Sequence, residues 1–385
     1  MKKRVLLLFI VLTLLLVIPF SAMADDNKDS VEDSLNDALD EALDNLDFSD
    51  VNELLDGMMF EDVAEKIKSI LDGEFDSAET FLQFLLDVFW QQLKLIVPSL
   101  ATLFAICVLC GLVTVNKSGF ISSGTSNLIY LVGLSLILTT LVAVLFKLYS
   151  SVYLMFARLS VLIDAAMPII LTLMIANGAT VSASVYQPAV AMLSGGIISM
   201  VRNVILPLCT FGLVFSVISH LSDNIKVTKL SGFFSSCSSW LLSVVFMVFG
   251  SFLSVQGITS ASIDGVSVRA IKFATKNYIP ILGGYLSDGF DMVVASSTLI
   301  KNAFGAVVLL MLLGTVVSTV VCILAFNLGL QLVSALAEPL TDGKFIGFFT
   351  AVSKNLTFLT VLVIAVTFMF FILVMLTIYT ANGFF

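Results

Sequence analysis

Residues 302–337 read NAFGAVVLLMLLGTVVSTVVCILAFNLGLQLVSALA, 36 positions without a charged side chain between Lys301 and Glu338. About 20 apolar residues suffice to cross a bilayer as a helix, at 1.5 Å per residue through roughly 30 Å of hydrocarbon. In that medium a backbone must satisfy its own N–H and C=O groups, which a single segment does only as an α-helix. This one stretch therefore decides the fold class: an all-α polytopic membrane helical bundle.

Working outward, charge-free runs recur at 95–115, 118–146, 165–201, 203–219, 230–263 and 355–385. The run 165–201 is long enough for two short segments, with a break expected near Asn177-Gly178. The count comes to about eight spans, within two. Composition agrees: 58% of residues are hydrophobic and 12% charged, against roughly 25% charged in soluble domains.

The net charge of −9 hides two regions. Residues 25–90 hold 21 of the 28 acidic residues and only three of the 19 basic ones. Their Leu and Val recur at helical spacing (Leu35, Leu39, Leu43, Leu46), so short amphipathic helices are expected there. The region reads as a solvated face or as a docking surface for partners. Its charge argues against nucleic acid, whose phosphates need clustered Lys and Arg. Residues 1–24 read as a secretory signal. Lys2, Lys3 and Arg4 precede an apolar run, Pro19 breaks it, and Ala22-Met23-Ala24 offers a cleavage site. An uncleaved anchor is the alternative. Either way 25–90 is expected outside the cytoplasm, and 91–385 forms the membrane domain. Phe89, Trp90 and Lys94 suit an interface anchor before the first span.

With that start, Lys117, then Lys226 and Lys229, then Lys344 and Lys354 fall on the inner side, while 147–158 and 258–301 fall outside. Polar residues interrupt the membrane domain at Asp164, Pro168, Asn177, Gly178, Gln187 and Pro188. Such groups at membrane depth face a bundle interior or an aqueous cavity, or mark helix ends. The stretch 256–302 is too polar for an ordinary span and too apolar for an ordinary loop. It reads as interfacial or re-entrant helices, or as a structured loop. Arg269, Lys272 and Lys276 recur there at helical spacing, and Asp288 and Asp291 share a face. Small residues four apart, at Ala191-Gly195-Ser199 and Gly257-Ala261-Gly265, read as helix-packing positions. A faint echo pairs 167–171 and 181–184 with 279–283 and 293–296 at one offset of 112, as in transporter folds built from repeats.

Catalytic signatures are missing. There is no P-loop, H-E-x-x-H or G-x-S-x-G, and His220 is the one histidine. Cys107 and Cys110 form a lone C-x-x-C, read with the other three cysteines as soft packing residues. No catalytic residue, cofactor or metal site is expected.

Several words then resemble a known family. Lys226-Val227-Thr228-Lys229-Leu230, Val255-Gln256-Gly257, Asp264-Gly265-Val266-Ser267-Val268-Arg269, Leu299-Ile300-Lys301-Asn302-Ala303 and Glu338-Pro339-Leu340 with Asp342-Gly343 and Lys354 look like stage III sporulation protein AE of endospore-forming Firmicutes. The stretch 174–207, with Arg202-Asn203 and Pro207, is similar as well. The resemblance covers roughly 90–380 and leaves 25–90 aside. It implies a role in spore formation, in a multi-protein channel between mother cell and forespore. The chain would sit in the mother-cell membrane around the forespore. Its implied partners are the other proteins of the same operon, among them a secretion-type ATPase and ring-forming subunits, together with membrane lipid. The leading expectation is a polytopic subunit of that complex. A stand-alone small-molecule permease and a non-conducting scaffold that recruits partners through its acidic region are the alternatives. The polar groups expected to line a path or contact partners are Asp164, Gln256, Asp264, Arg269, Lys272, Lys276, Asp288, Asp291 and Lys301.

Overall fold

The computed structural model describes residues 51, 67–69, 77–115, 123–221, 227–278, 283–339 and 343–380. The signal-like segment and most of the acidic region lie outside the described residues. Among those described, every element is helical. In chain order they are α1 (Ser77–Val115), α2 (Ser123–Ala176) and α3 (Thr180–Ala191). Two π-helical segments (Met192–Ile197 and Val201–Ile205) then flank a single α turn (Ile198–Met200). They lead into α4 (Leu206–Leu221), followed by α5 (Thr228–Tyr278), α6 (Gly283–Ala337) and α7 (Gly343–Tyr379).

Among the described residues six helical rods are long and apolar enough to cross a membrane. That is the lower end of the expected count, for a physical reason. The helix does not stop at Lys147 and Arg158, which are exposed on the side of α2. Long basic side chains carry their charge away from an apolar surface, so one cation need not end a helix. Residues 147–158 are thus the middle of α2 and not an outer loop. Likewise the rod runs on from α3 through Arg202 into α4. The break near Asn177-Gly178 falls where expected. Among the described residues the stretch 256–302 forms no separate short helices: 256–278 is the end of α5 and 283–302 the start of α6.

The echo at offset 112 does not survive. The break at 177–179 corresponds to 289–291, which sit inside uninterrupted α6. Pro168, the counterpart of Pro280, lies within α2. Nor is Ala191-Gly195-Ser199 packed inside the chain, since all three are exposed.

At the centre stands α6, packed chiefly on α7, α2 and α1, while α4 pairs with α5 and α7. Phe304 and Phe326 of α6 and Phe349 and Phe370 of α7 are fully buried in this seam. Glycines let helices approach closely. A Cβ on Gly305 would come within 2.3 Å of Ile378 Cγ1, and one on Gly329 within 2.1 Å of Leu100 Cδ1. A Cβ on Gly133 would lie 2.0 Å from Cys110 Sγ, so this thiol fills an α1–α2 contact.

At 1.5 Å per residue the 54 residues of α2, 51 of α5 and 55 of α6 each run about 76–83 Å, more than twice the hydrocarbon thickness. Successive rods alternate in direction. The ends near 115–123, 221–228 and 337–343 therefore belong to one end of the bundle, and the break at 177–179, the α5–α6 junction and the end of α7 to the other.

Candidate functional site at a broken helix

At that second end, α2 terminates with Asn177 N–H on Leu173 O (3.0 Å), Gly178 N–H on Ile175 O (2.9 Å) and Ala179 N–H on Met174 O (2.9 Å). Gly178 has φ 80°, the left-handed conformation that closes a helix C-terminus and that glycine adopts without a Cβ penalty. One residue later α3 begins. Its N-cap position is Ala179, which supplies no side-chain oxygen to the free N–H groups.

The missing cap comes from α5. Asp264 is fully buried, and its two carboxylate oxygens accept the N–H of Val181 (2.9 Å) and of Ser182 (2.8 Å). A carboxylate at a helix N-terminus meets both the free donors and the positive end of the dipole. Beside this cap the side chains of Asn177 and Ser182 are fully buried, and their polar atoms have no hydrogen-bond partner among the described residues.

Lys301 of α6 is also fully buried. Its Nζ donates to the backbone carbonyl of Thr380, just past the end of α7. The Thr380 hydroxyl donates to Leu376 O at 2.7 Å. Its lone pair is thus left to accept the Tyr186 O–H of α3 at 3.0 Å. So α3 is fixed at its start by α5 and at its middle by α7, and α6 holds the end of α7.

Asp164 lies elsewhere. It is exposed on α2, in a cleft of about 540 Å³ between α2 and α3 whose wall is largely apolar (Met167, Leu171, Ile175, Val190) and carries Thr172, Thr180, Ser184 and Gln187 as its other polar groups. Among the described residues its one side-chain hydrogen bond is a long 3.5 Å approach from Ser160 Oγ, which also donates to Ser194 O in the first π-segment at 3.0 Å. Farther along the same seam the Arg202 guanidinium stacks on the Tyr153 ring at 4.1 Å.

Of the expected residues, the structure brings Asp264 and Lys301 to the same end of the bundle and leaves Asp164 apart. The side chains of Gln256, Arg269, Lys272, Lys276, Asp288 and Asp291 lie outside the described residues, although their backbones belong to α5 and α6. Ser182, Tyr186 and Thr380 gave no signal in the sequence. Sequence reasoning also missed a polar cluster between α6 and α7. There Asn327 Oδ1 accepts from Ser353 Oγ (2.7 Å) and Gln331 Nε2 (3.1 Å), and Asn327 Nδ2 donates to Thr357 (3.1 Å). The interruption of an apolar run by Asn327 and Gln331 at i, i+4 was the available clue.

With this geometry in place, comparison with known proteins is informative. A family model described as stage III sporulation protein AE matches residues 61–381, which include the helix break, Asp264, Lys301 and Thr380. The chain belongs to the stage III sporulation protein AE family. A relative of that name from Bacillus subtilis (strain 168) is 24% identical over 330 residues, covering 84% of this chain and 82% of the relative. No solved structure matches. The stage III sporulation protein AE match begins at 61, inside the acidic region, so residues 61–90 are part of the family sequence and 25–60 lie beyond it.

Proposed function

We propose that this stage III sporulation protein AE chain is a multi-pass membrane subunit of a transport or channel complex linking mother cell and forespore. It sits in the mother-cell membrane with its N-terminal region extracytoplasmic. Its part is to form or seal the membrane base of the conduit, and it is not catalytic. Its partners are a secretion-type ATPase, ring-forming subunits and the other proteins of its operon.

The observation that carries this reading is the polar end of the bundle. Five helices bring a buried carboxylate, a buried lysine and a helix break to one end. The helix ends near Lys117, Lys226, Lys229 and Lys344 gather at the other, as expected of a cytoplasmic side. The polar end then faces the space that the acidic region also enters. The family adds the sporulation role.

The test is retrieval of a tagged full-length chain from sporulating cells. Co-purification of the ATPase and ring-forming subunits, together with loss of heat-resistant spores on deletion, is the expected result. A chain that leaves the membrane alone in mild detergent would remove the complex from the account.

A further inference from the structure

Along the rod from α3 to α4, and along α5, the exposed side chains change from one end to the other. Near the lysine-bearing end large apolar groups stand among small ones such as Ser236, Ser239 and Ser243. On α5 the large apolar groups are exposed from Leu230 to Val248, with Phe233 and Trp240 between them, and Phe211 and Val214 continue the belt on α4. Eighteen steps of 1.5 Å give about 27 Å, the thickness of a hydrocarbon core. From 180 to 203 the exposed positions differ in kind. Thr180, Ser184, Gln187, Ser199 and Asn203 are polar, and the others are proline, alanine or glycine. Ser184 Oγ donates to Val181 O at 2.7 Å and Asn203 Nδ2 to Ser199 Oγ at 3.0 Å, but lipid offers nothing to an exposed amide such as that of Gln187, whereas water does. Across the cleft from this face stands the exposed Asp164 carboxylate. The cations around it do not offset it. Arg202 sits over Tyr153, eleven residues and so about 16 Å along α2 from Asp164 and beyond the screening length of about 8 Å at physiological salt, and Arg158, six residues before Asp164, leaves α2 about 120° around the helix.

We infer that the cleft between α2 and α3, with the face running from 180 to 203, contacts water, and that Asp164 makes it favour cationic solutes. A carboxylate in a partly enclosed aqueous cleft raises the local concentration of positive ions. The inference rests on the membrane reading above but not on the identity of the partners.

The test places single cysteines by Ser184→Cys, Gln187→Cys and Gly195→Cys in the full chain with its five native cysteines changed to alanine. Permeabilised membranes of sporulating cells, which keep the chain with whatever it binds, are treated with two membrane-impermeant methanethiosulfonates, one carrying a trimethylammonium and one a sulfonate. All three positions react. At Gln187→Cys the cationic-to-anionic rate ratio exceeds that of a free thiol by at least about threefold, and Asp164→Asn returns it to the free-thiol value. Failure of all three to react overturns the aqueous face, and copper-catalysed disulfide dimers would then name a second copy as its cover. A ratio that ignores Asp164→Asn overturns the cation preference. If the cysteine-free chain does not accumulate, the native-cysteine chain serves with its own labelling as the baseline. Labelling as expected with no co-purified partner would sink the complex and spare this inference.

Discussion

Asp264 caps a helix that begins more than eighty residues before it: its Oδ2 accepts the Ser182 N–H at 2.8 Å, while Oδ1 holds Val181. The two residues belong to α5 and to the start of α3. The contact therefore fixes tertiary structure as well as a helix end. It also explains how α3 restarts only three residues after α2 stops without a cap of its own.

Replacing Asp264 tests that contact. Asp264→Ala leaves two N–H donors buried and unpaired, and hydrogen bonds to charged groups contribute about 1.5–3 kcal/mol each. A stability loss of about 3 kcal/mol is expected in thermal unfolding of the detergent-solubilised chain, with Asp264→Asn losing less because it keeps one acceptor. An unfolding midpoint unmoved by Asp264→Ala would show that the cap is not made.

Gly178 adopts φ 80°. Gly178→Ala should cost about 1–2 kcal/mol, because a Cβ crowds the carbonyl in the left-handed region. Gly178→Asn should cost less, since asparagine visits that region more readily. The same unfolding assay ranks the three chains. Alanine ranking with glycine would mean that the α2–α3 break is not closed through this residue.

Tyr186 and Thr380 join α3 to the end of α7. In a double-mutant cycle of Tyr186→Phe and Thr380→Val, coupling of about 0.5–1 kcal/mol is expected for residues sharing one hydrogen bond. Strict additivity would contradict the contact.

The cluster of Asn327, Gln331 and Ser353 makes a similar prediction between α6 and α7. Asn327→Ala and Ser353→Ala should be non-additive by about 0.6 kcal/mol, and by no more than about 1.7, the range for interhelical hydrogen bonds inside membranes. Equal and independent losses would show that the two side chains do not share a bond.

The fold was legible in the sequence because lipid leaves the backbone one option, and long charge-free runs announce it. The break at Asn177-Gly178 was legible because asparagine and glycine end helices for local reasons. Helix continuity through Lys147 and Arg158 was not, because a cation on the side of a helix and a cation in a loop look alike in sequence. The candidate site was half visible. Asp264 and Lys301 stand out as ionisable groups in apolar surroundings, but their partners are backbone groups 82 and 79 residues away. A backbone N–H or C=O leaves no residue-type signal. The echo at offset 112 failed because short apolar words recur by composition, and only one of the two places is a break.

The central claim is that the break at 177–179, the α5–α6 junction and the end of α7 share the extracytoplasmic side with the acidic region. Side-specific thiol labelling of intact non-sporulating cells that produce the chain in their surface membrane tests it most directly, with single cysteines introduced by Ser287→Cys near the start of α6 and by Ser122→Cys and Ser222→Cys, next in sequence to the start of α2 and the end of α4. The account predicts that an impermeant maleimide labels Ser287→Cys from outside and reaches the other two only after permeabilisation. Labelling of Ser122→Cys and Ser222→Cys in intact cells, with Ser287→Cys protected, would contradict it.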